Sequence, residues 1–133
     1  MFCRFMYGAV LLVVGSCATS SLAGSEPLVG EWGGVHAGLT LTNSGGTIAY
    51  DCAGGTISVP VVPDRAGDFL VVGKHVRGHG GPVRIGEVAD SLPARYAGHV
   101  SRGDLRLTVF VGADTLGPFA LQLGAAPQIF RCL

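Results

Sequence analysis

The amino-acid sequence predicts an all-β domain, a small antiparallel up-and-down meander of about eight strands that closes into a barrel. Short runs of alternating apolar and polar residues recur along the chain, turn-forming Gly, Pro, Asn and Asp separate them, and no amphipathic helical stretch of useful length is present. The 22 glycines weaken helices but suit bends in a curved sheet. Closure into a barrel removes the exposed edges, and a β-sandwich is the alternative architecture.

The N-terminal segment has the order of an export signal and is excluded from the folded domain. Arg4 supplies its positive charge, an apolar run follows at residues 8–14, and small residues come next. The apolar run is too short to anchor the chain by spanning a bilayer. Because Arg4 is the only charge in this segment, its removal lowers the 9 Lys+Arg to 8, against 9 Asp+Glu. No basic stripe remains, so a nucleic-acid partner is disfavoured.

The cleavage site that ends the signal peptide can be interpreted in two ways. Small residues at positions 21 and 23 predict cleavage after Ala23 and a signal peptide at 1–23. The sequence Val-Gly-Ser-Cys instead matches a lipobox, which predicts a signal at 1–16 with Cys17 lipidated. Both interpretations predict an exported protein. It is either free in the periplasm or outside the cell, or held to the membrane by lipid.

Residues 24–28 are predicted to be a short tether and residues 29–133 a single β domain. The predicted strands are, in order, HAGLTLT, TIAYDC, TISVPV, FLVVGKHVR, PARYAGHVS, LRLTVFV, LGPFALQL and QIFRCL. The clearest is LRLTVFV, in which alternate apolar residues share one face. In PARYAGHVS the same alternation places Tyr96 in the core and turns Arg95 and His99 outward.

The cysteines predict one disulfide. Cys3 leaves with the signal, and Cys17 is removed or lipidated, so Cys52 and Cys132 remain as an even pair in an exported protein. Metal ligation by two thiolates is the alternative, and the absence of a C-x-x-C partner argues against it. In an eight-strand meander, two strand spacings separate the strands of these cysteines, about 9.5 Å. Because a disulfide needs shorter Cα distances, Cys52 is predicted to lie at the very end of its strand.

The segment KHVRGHGGPVR carries two histidines four residues apart and basic residues around Gly-Gly-Pro. On a helix the histidine spacing would suit zinc, but the glycines and the proline disfavour a helix, and on a strand the rings would lie about 13 Å apart. No metal site is therefore predicted. A nest-like turn with nearby cations would suit a carboxylate or phosphate, and the alternative is a solvated corner. The candidate anion-binding residues are Arg77, His79, Gly80, Gly81 and Arg84.

Several motifs together resemble a family of short exported bacterial proteins. They are GEWGGVH, YDCAGGTI, HGGPVR, PARYAG, GPF and the terminal RCL, and their order and spacing carry the resemblance. It covers nearly all of the chain after the signal, and it implies no reaction or ligand. After Cys52 this chain has Ala53-Gly54-Gly55, where the family pattern has a histidine in the middle.

Two further resemblances concern architecture. Gly30-Glu31-Trp32 followed by a meander, with Arg131 late in the chain, is similar to the lipocalin-type barrels. That resemblance implies that Trp32 closes one end of the barrel and that Arg131 packs over it. The segment YDCAGGT with a late cysteine is similar to the membrane-bound lysozyme inhibitors of the C type, which are small exported barrels with one disulfide. Their inhibitory serine-glycine and lysine motifs are absent from this sequence.

The sequence offers no catalytic constellation, since it has no G-x-S-x-G elbow, no H-E-x-x-H and no phosphate-binding loop. It therefore predicts a non-catalytic binding or interaction module of the cell envelope that presents the loop at 78–92 at one end of a barrel. No cofactor is predicted, and the partner is a small molecule or an envelope protein. The alternatives are a small-ligand carrier with an internal barrel pocket, and an inhibitor of an envelope-targeting hydrolase such as a lysozyme.

Overall fold

The structure, a computed structural model, describes residues 26–78, 81–88 and 90–132, which form an eight-stranded antiparallel barrel without a helix. The strands are β1 (Gly30–Gly34), β2 (Ala37–Thr42), β3 (Gly45–Tyr50), β4 (Ala53–Ile57), β5 (Asp68–Arg77), β6 (Ser91–Ser101), β7 (Asp104–Val111) and β8 (Asp114–Leu123). Each strand pairs with its sequence neighbours, and β1 pairs with β8 to close the barrel. The predicted β meander that closes into a barrel is confirmed, and the sandwich alternative is excluded.

The core is built from alternate residues of the strands. On β7, Leu105, Leu107 and Val109 are buried while Arg106 is exposed, because successive side chains of a strand point to opposite faces. Burial of each such aliphatic side chain stabilises the fold by about 1.5–3 kcal/mol. The same alternation buries Tyr96 completely, as predicted. The other buried apolar residues are Trp32, Ala37, Leu39, Leu41, Ile48, Tyr50, Ile57, Val61, Phe69, Ala94, Val111 and Leu121.

Tyr96 reaches from β6 across the core to the backbone of β4 and β5. Its hydroxyl donates a hydrogen bond of 2.7 Å to the carbonyl oxygen of Lys74, so the buried phenol is satisfied. A Cβ at Gly55 would collide with the Tyr96 hydroxyl, which explains why a glycine stands at this inward position of β4. The glycine content of the strands therefore makes room for a large aromatic residue in a small barrel.

The first and the last strand differ from the prediction. GEWGG forms β1, which the sequence did not identify as a strand, and Trp32 pairs with Leu123 at the barrel closure. QIFRCL was predicted to be the eighth strand, and this was wrong for its described part, residues 128–132, which holds only an isolated bridge between Val35 and Gln128. The physical reason is that β1 already pairs with β8, so no strand edge is left for the C-terminal residues.

Cys52 and Cys132 form the predicted disulfide, with 4.8 Å between their Cα atoms. Cys52 lies in the turn between β3 and β4 with a φ of 58°, which confirms that it lies at the end of its strand rather than within it. Residues 125–132, called the tail below, run from the end of β8 back to this turn. The disulfide therefore closes the tail onto the barrel.

The N-terminal predictions fall mostly on residues that the structure does not describe. The signal peptide, in both versions, and Cys17 lie outside the described residues. Within the predicted tether, Leu28 donates a backbone hydrogen bond of 2.7 Å to Val61 and packs against the core, so it belongs to the folded domain. Among the described residues, no helix has the length and apolar character needed to cross a membrane.

Candidate binding site at the loop end of the barrel

One end of the barrel carries the longest connection between strands. The turns at 35–36, 51–52 and 112–113 and the connection between β5 and β6 lie together at this end, because the strands alternate in direction. We call it the loop end, and we call residues 81–88 the rim loop. The sequence analysis predicted the binding surface in the connection between β5 and β6. This connection is longer than the three turns at the same end.

The rim loop turns its apolar side chains to solvent. Val83 is 78% exposed, Ile85 107% and Val88 91%. The Glu87 carboxylate accepts a hydrogen bond of 2.9 Å from the Arg84 backbone N–H, and the Glu87 N–H donates one of 3.1 Å to the Arg84 carbonyl oxygen. These two bonds close a local turn, so the apolar side chains are presented from an ordered segment.

The predicted anion-binding residues are spread along this connection. Arg77 is the last residue of β5 and is exposed, and Gly81 and Arg84 are exposed in the rim loop, while His79 and Gly80 lie outside the described residues. The Arg84 backbone N–H already bonds the Glu87 carboxylate, so it is not free to face an anion. The anion site and its alternative, a solvated corner, both stay predictions.

A small pocket lies at the rim beside Arg77. It has a volume of about 320 Å³, and its walls come from Leu92 and Pro93 of β6 and from the residues around the turn between β7 and β8. Arg77 and Asp114 place one cation and one carboxylate on its lining. This volume is at the lower limit of small-molecule sites, so the pocket fits a compact polar ligand. We call it the rim pocket.

Polar aromatic residues lie below the rim, inside the barrel. His75 of β5 is only 6% exposed, and its ring lies 5.6 Å from the Tyr50 ring, which in turn stacks on Phe119 at 5.7 Å. His75 Nδ1 is buried and has no hydrogen-bond partner within the described residues, and the Tyr50 hydroxyl makes only a poorly aligned contact with the neighbouring Tyr96 hydroxyl. Trp32 Nε1 is also buried without a hydrogen-bond partner within the described residues. Unpartnered buried groups are rare in native proteins because each one costs desolvation free energy.

The sequence interpretation did not identify His75 as an interior residue. It treated both histidines of KHVRGHGGPVR as solvated or bonded to nearby carbonyls. The available signal was the parity of β5, because His75 lies at an even spacing from the apolar residues Phe69 and Val71. That alternation aims His75 inward, whereas Arg77 has the same parity but is exposed because it lies at the last position of β5, at the rim.

Burial keeps these interior groups uncharged. It raises the pKa of Tyr50 and of Tyr96, so both phenols stay protonated across the physiological range. Burial lowers the pKa of His75 from its ordinary value, and the positive charge of nearby Arg77 lowers it further. The loop end therefore has neutral polar groups in its interior and a cation, Arg77, at its mouth.

The structure describes both Trp32 and Arg131. Trp32 is 3% exposed and pairs with Leu39 of β2, so it is a core residue. Arg131 is exposed in the tail beside Cys132, and among the described residues it makes no ring contact with Trp32. The cation–π contact that the structure shows is Arg95 over Phe110, 5.4 Å from the ring centroid, on the outer face of the barrel.

His36 and His99 each pair with an aspartate at the surface. His36 Nδ1 contacts the Asp51 carboxylate, and His99 Nδ1 lies 2.7 Å from Asp68 Oδ1. His99 is exposed, as predicted. Within the described ranges, no three His, Cys, Asp or Glu side chains come together in a way that could hold a metal ion.

The fold and the loop end define a class, a single-domain closed antiparallel β-barrel with one disulfide and an exposed apolar rim loop. Comparison of this chain with protein-family models, with curated proteins and with solved structures found no match. The resemblances drawn from the sequence motifs stay predictions. Function has to be argued from the residues of this chain, because a barrel fold alone does not determine function.

Proposed function

We propose that this protein is a non-catalytic binding or interaction module of the cell envelope and that the rim loop is its contact surface. The observation that carries the proposal is the exposure of Val83, Ile85 and Val88 within one short turn. Single exposed apolar residues are ordinary, but apolar residues grouped on one surface mark sites of interaction. These three side chains are more exposed than any other large apolar side chain among the described residues, which is consistent with their burial against a partner.

The cell envelope is supported by two independent features. The N-terminal segment has the order of an export signal, and the disulfide between Cys52 and Cys132 is typical of an oxidising compartment. Anchoring of the chain to the membrane through lipid at Cys17 is part of the same proposal. The partner is an envelope protein with an apolar recess for the rim loop, or a small molecule, and no cofactor is involved.

A second candidate function is a small-ligand carrier, and the rim pocket is the observation that favours it. Its volume of about 320 Å³ accepts a compact ligand between Arg77 and Asp114. The barrel interior is less suited, because Tyr96, Leu39 and Leu107 fill it with fully buried side chains. A carrier of this type would bind its ligand at the rim and not deep inside the barrel.

The experiment that tests the interaction module compares the purified protein with two matched variants, Ile85→Ser in the rim loop and Leu70→Ser on the outer face of β5. Leu70 is 61% exposed. The Leu70→Ser variant therefore removes an exposed aliphatic side chain from a surface outside the rim loop. Crosslinking in the protein's own envelope, followed by mass spectrometry, should yield a partner that the Ile85→Ser variant loses and the Leu70→Ser variant keeps.

Other outcomes assign the function differently. If both variants retain the same partner, the rim loop is not the contact surface and the proposal fails. If a small ligand co-purifies and is lost in an Arg77→Ala variant, the carrier is the better description. Titration against lysozymes with loss of their activity would identify an inhibitor instead.

A further inference from the structure

The tail forms a wall on the outer face of the barrel. Gly124, with a φ of 79°, turns the chain out of β8, and the tail then crosses β1 and β2. A Cβ at Gly38 would lie only 2.7 Å from Pro127 Cβ, so the tail lies directly on the backbone of β2. Gln128 is held on both sides, because its N–H donates to Gly34 and its carbonyl oxygen accepts from the His36 N–H.

The end of the tail is fixed as well. The Phe130 backbone N–H donates a hydrogen bond of 2.8 Å to Asp51 Oδ1, and the disulfide of Cys132 follows two residues later. The phenyl ring of Phe130 lies 5.3 Å from the His36 imidazole, centroid to centroid. A wall that is held at several points is a preorganised surface, which lowers the entropic cost of binding against it.

A groove runs along this wall. Its volume is about 560 Å³, within the range of small-molecule sites. Its floor is the outer face of β1 to β3, where Glu31, Thr40 and Thr47 stand in one row because Glu31 pairs with Thr40 and Thr40 with Thr47. Pro127 and Ile129 of the tail form an apolar side. We call it the outer groove, and it is distinct from the loop end.

The lining carries one kind of charge. Glu31 is the only ionisable side chain among the groove residues, it is exposed, and it makes no ion pair within the part of the chain that the structure describes. Directly opposite residues on neighbouring strands have Cβ atoms about 4.5–5.5 Å apart, so Thr40 lies between Glu31 and Thr47 in the row. The groove therefore presents three oxygen-bearing side chains in a row beside an apolar wall.

We propose that the outer groove binds a primary ammonium group carried on an alkyl stem. An ammonium group has three N–H donors, which match the carboxylate and the two hydroxyls of the row. Its charge complements Glu31, and its stem lies against Pro127 and Ile129. A divalent metal ion would need more oxygen ligands than one carboxylate and two hydroxyls supply.

The test is a titration of the isotopically labelled protein with pentylamine. Binding is monitored by the shifts of the backbone amide signals in NMR spectra. The amides of Thr40, Thr47 and Ala126 should shift with a Kd on the order of 1 mM. Pentanol, which has the same stem without the charge, should shift them far less. Nα-acetyl-lysine methylamide presents the same group as a peptide side chain, and binding of this probe alone would identify a peptide lysine as the ligand.

Matched variants test whether the row of Glu31, Thr40 and Thr47 binds the ammonium group. Glu31→Gln should weaken pentylamine binding by about two- to fivefold, since an exposed ion pair contributes up to about 1 kcal/mol. Glu26→Gln removes an equal charge from an exposed position outside the groove and should leave binding unchanged. Ala49→Leu places a larger side chain on the groove floor and should also weaken binding.

The opposite results would overturn the proposal. They are equal shifts with pentanol and pentylamine, an unchanged Kd for Glu31→Gln, or no shift with either ammonium probe. The dispersion of each variant's spectrum reports whether it has folded, and Glu31→Gln changes only an exposed side chain. The rim loop plays no part in this test, so its outcome is independent of the proposed interaction surface.

Discussion

His75 packs against Tyr50 inside the barrel, with 5.6 Å between the two ring centroids, and its Nδ1 is buried without a hydrogen-bond partner within the described residues. The barrel has thus placed a titratable imidazole in an apolar interior instead of at the surface. Protonation of His75 would put a charge where burial and the nearby Arg77 both oppose it. Stability should therefore respond to pH through this residue.

The first prediction is that the protein loses stability on acidification. The pKa of His75 in the folded protein lies below its ordinary value of 6.5, so between these two values the unfolded chain binds a proton that the folded chain does not. The free energy of unfolding should fall as pH drops below about 6.5 and level off below the folded pKa. Urea denaturation at several pH values measures the free energy of unfolding and its dependence on pH.

A His75→Leu variant provides the control. Leucine fills a similar volume without a titratable group, so the acid loss of stability should be smaller in the variant than in the wild type. Its stability at pH 8 should be equal or higher, because an unpartnered buried nitrogen has been removed. Direct NMR titration that places the His75 pKa at or above 6.5 would contradict the argument.

The second prediction concerns two buried tyrosines that differ in one bond. Tyr96→Phe removes the hydrogen bond to the Lys74 carbonyl oxygen and should lower the free energy of unfolding by about 0.5–1.5 kcal/mol or more. Tyr50→Phe removes a hydroxyl that makes only a poorly aligned contact with the Tyr96 hydroxyl, so its cost should be smaller than that of Tyr96→Phe. Denaturation curves of the two variants, compared at one pH, test the difference. A loss for Tyr50→Phe as large as that for Tyr96→Phe would show that the Tyr50 hydroxyl is bonded in solution.

The fold was predictable because its strands are local patterns. The alternation in LRLTVFV and PARYAGHVS assigns the buried faces of β6 and β7 from sequence alone. The barrel closure was not predictable in the same way. GEWGG is glycine-rich and shows little alternation, whereas QIFRCL has the composition of a strand, and only the pairing of β1 with β8 decides which of them completes the sheet.

The candidate site was predictable in place but not in detail. A long glycine-rich connection in a barrel of short turns predicts an exposed loop, and the rim loop confirms its position. The exposed apolar residues in it were not singled out, because valine and isoleucine near a strand end look like core residues in sequence. The outer groove could not be foreseen, since it depends on where the tail crosses the sheet.

The third prediction concerns the disulfide. The double variant Cys52→Ser with Cys132→Ser frees the unfolded chain from a closed loop with a sequence separation of 80 residues. In the chain-entropy model such a loop corresponds to about 4 kcal/mol of stability. The free energy of unfolding, measured in urea, should fall by about 4 kcal/mol. Reduction of the disulfide in the wild type should produce the same loss. A change below about 1 kcal/mol would mean that the hydrogen bonds of Gln128 and Phe130 hold the tail by themselves.

The fourth prediction tests the contact between the tail and the barrel with two alanine variants. Gly38→Ala places a Cβ 2.7 Å from Pro127 Cβ, so the tail has to move, and overpacking of this kind lowers stability by about 1–3 kcal/mol. Gly54→Ala is the matched control on β4, because its Cβ meets nothing closer than 3.3 Å, and it should cost much less. Equal stability losses in the two variants would indicate that the tail does not lie on Gly38 in solution, and the outer groove would then lack its wall.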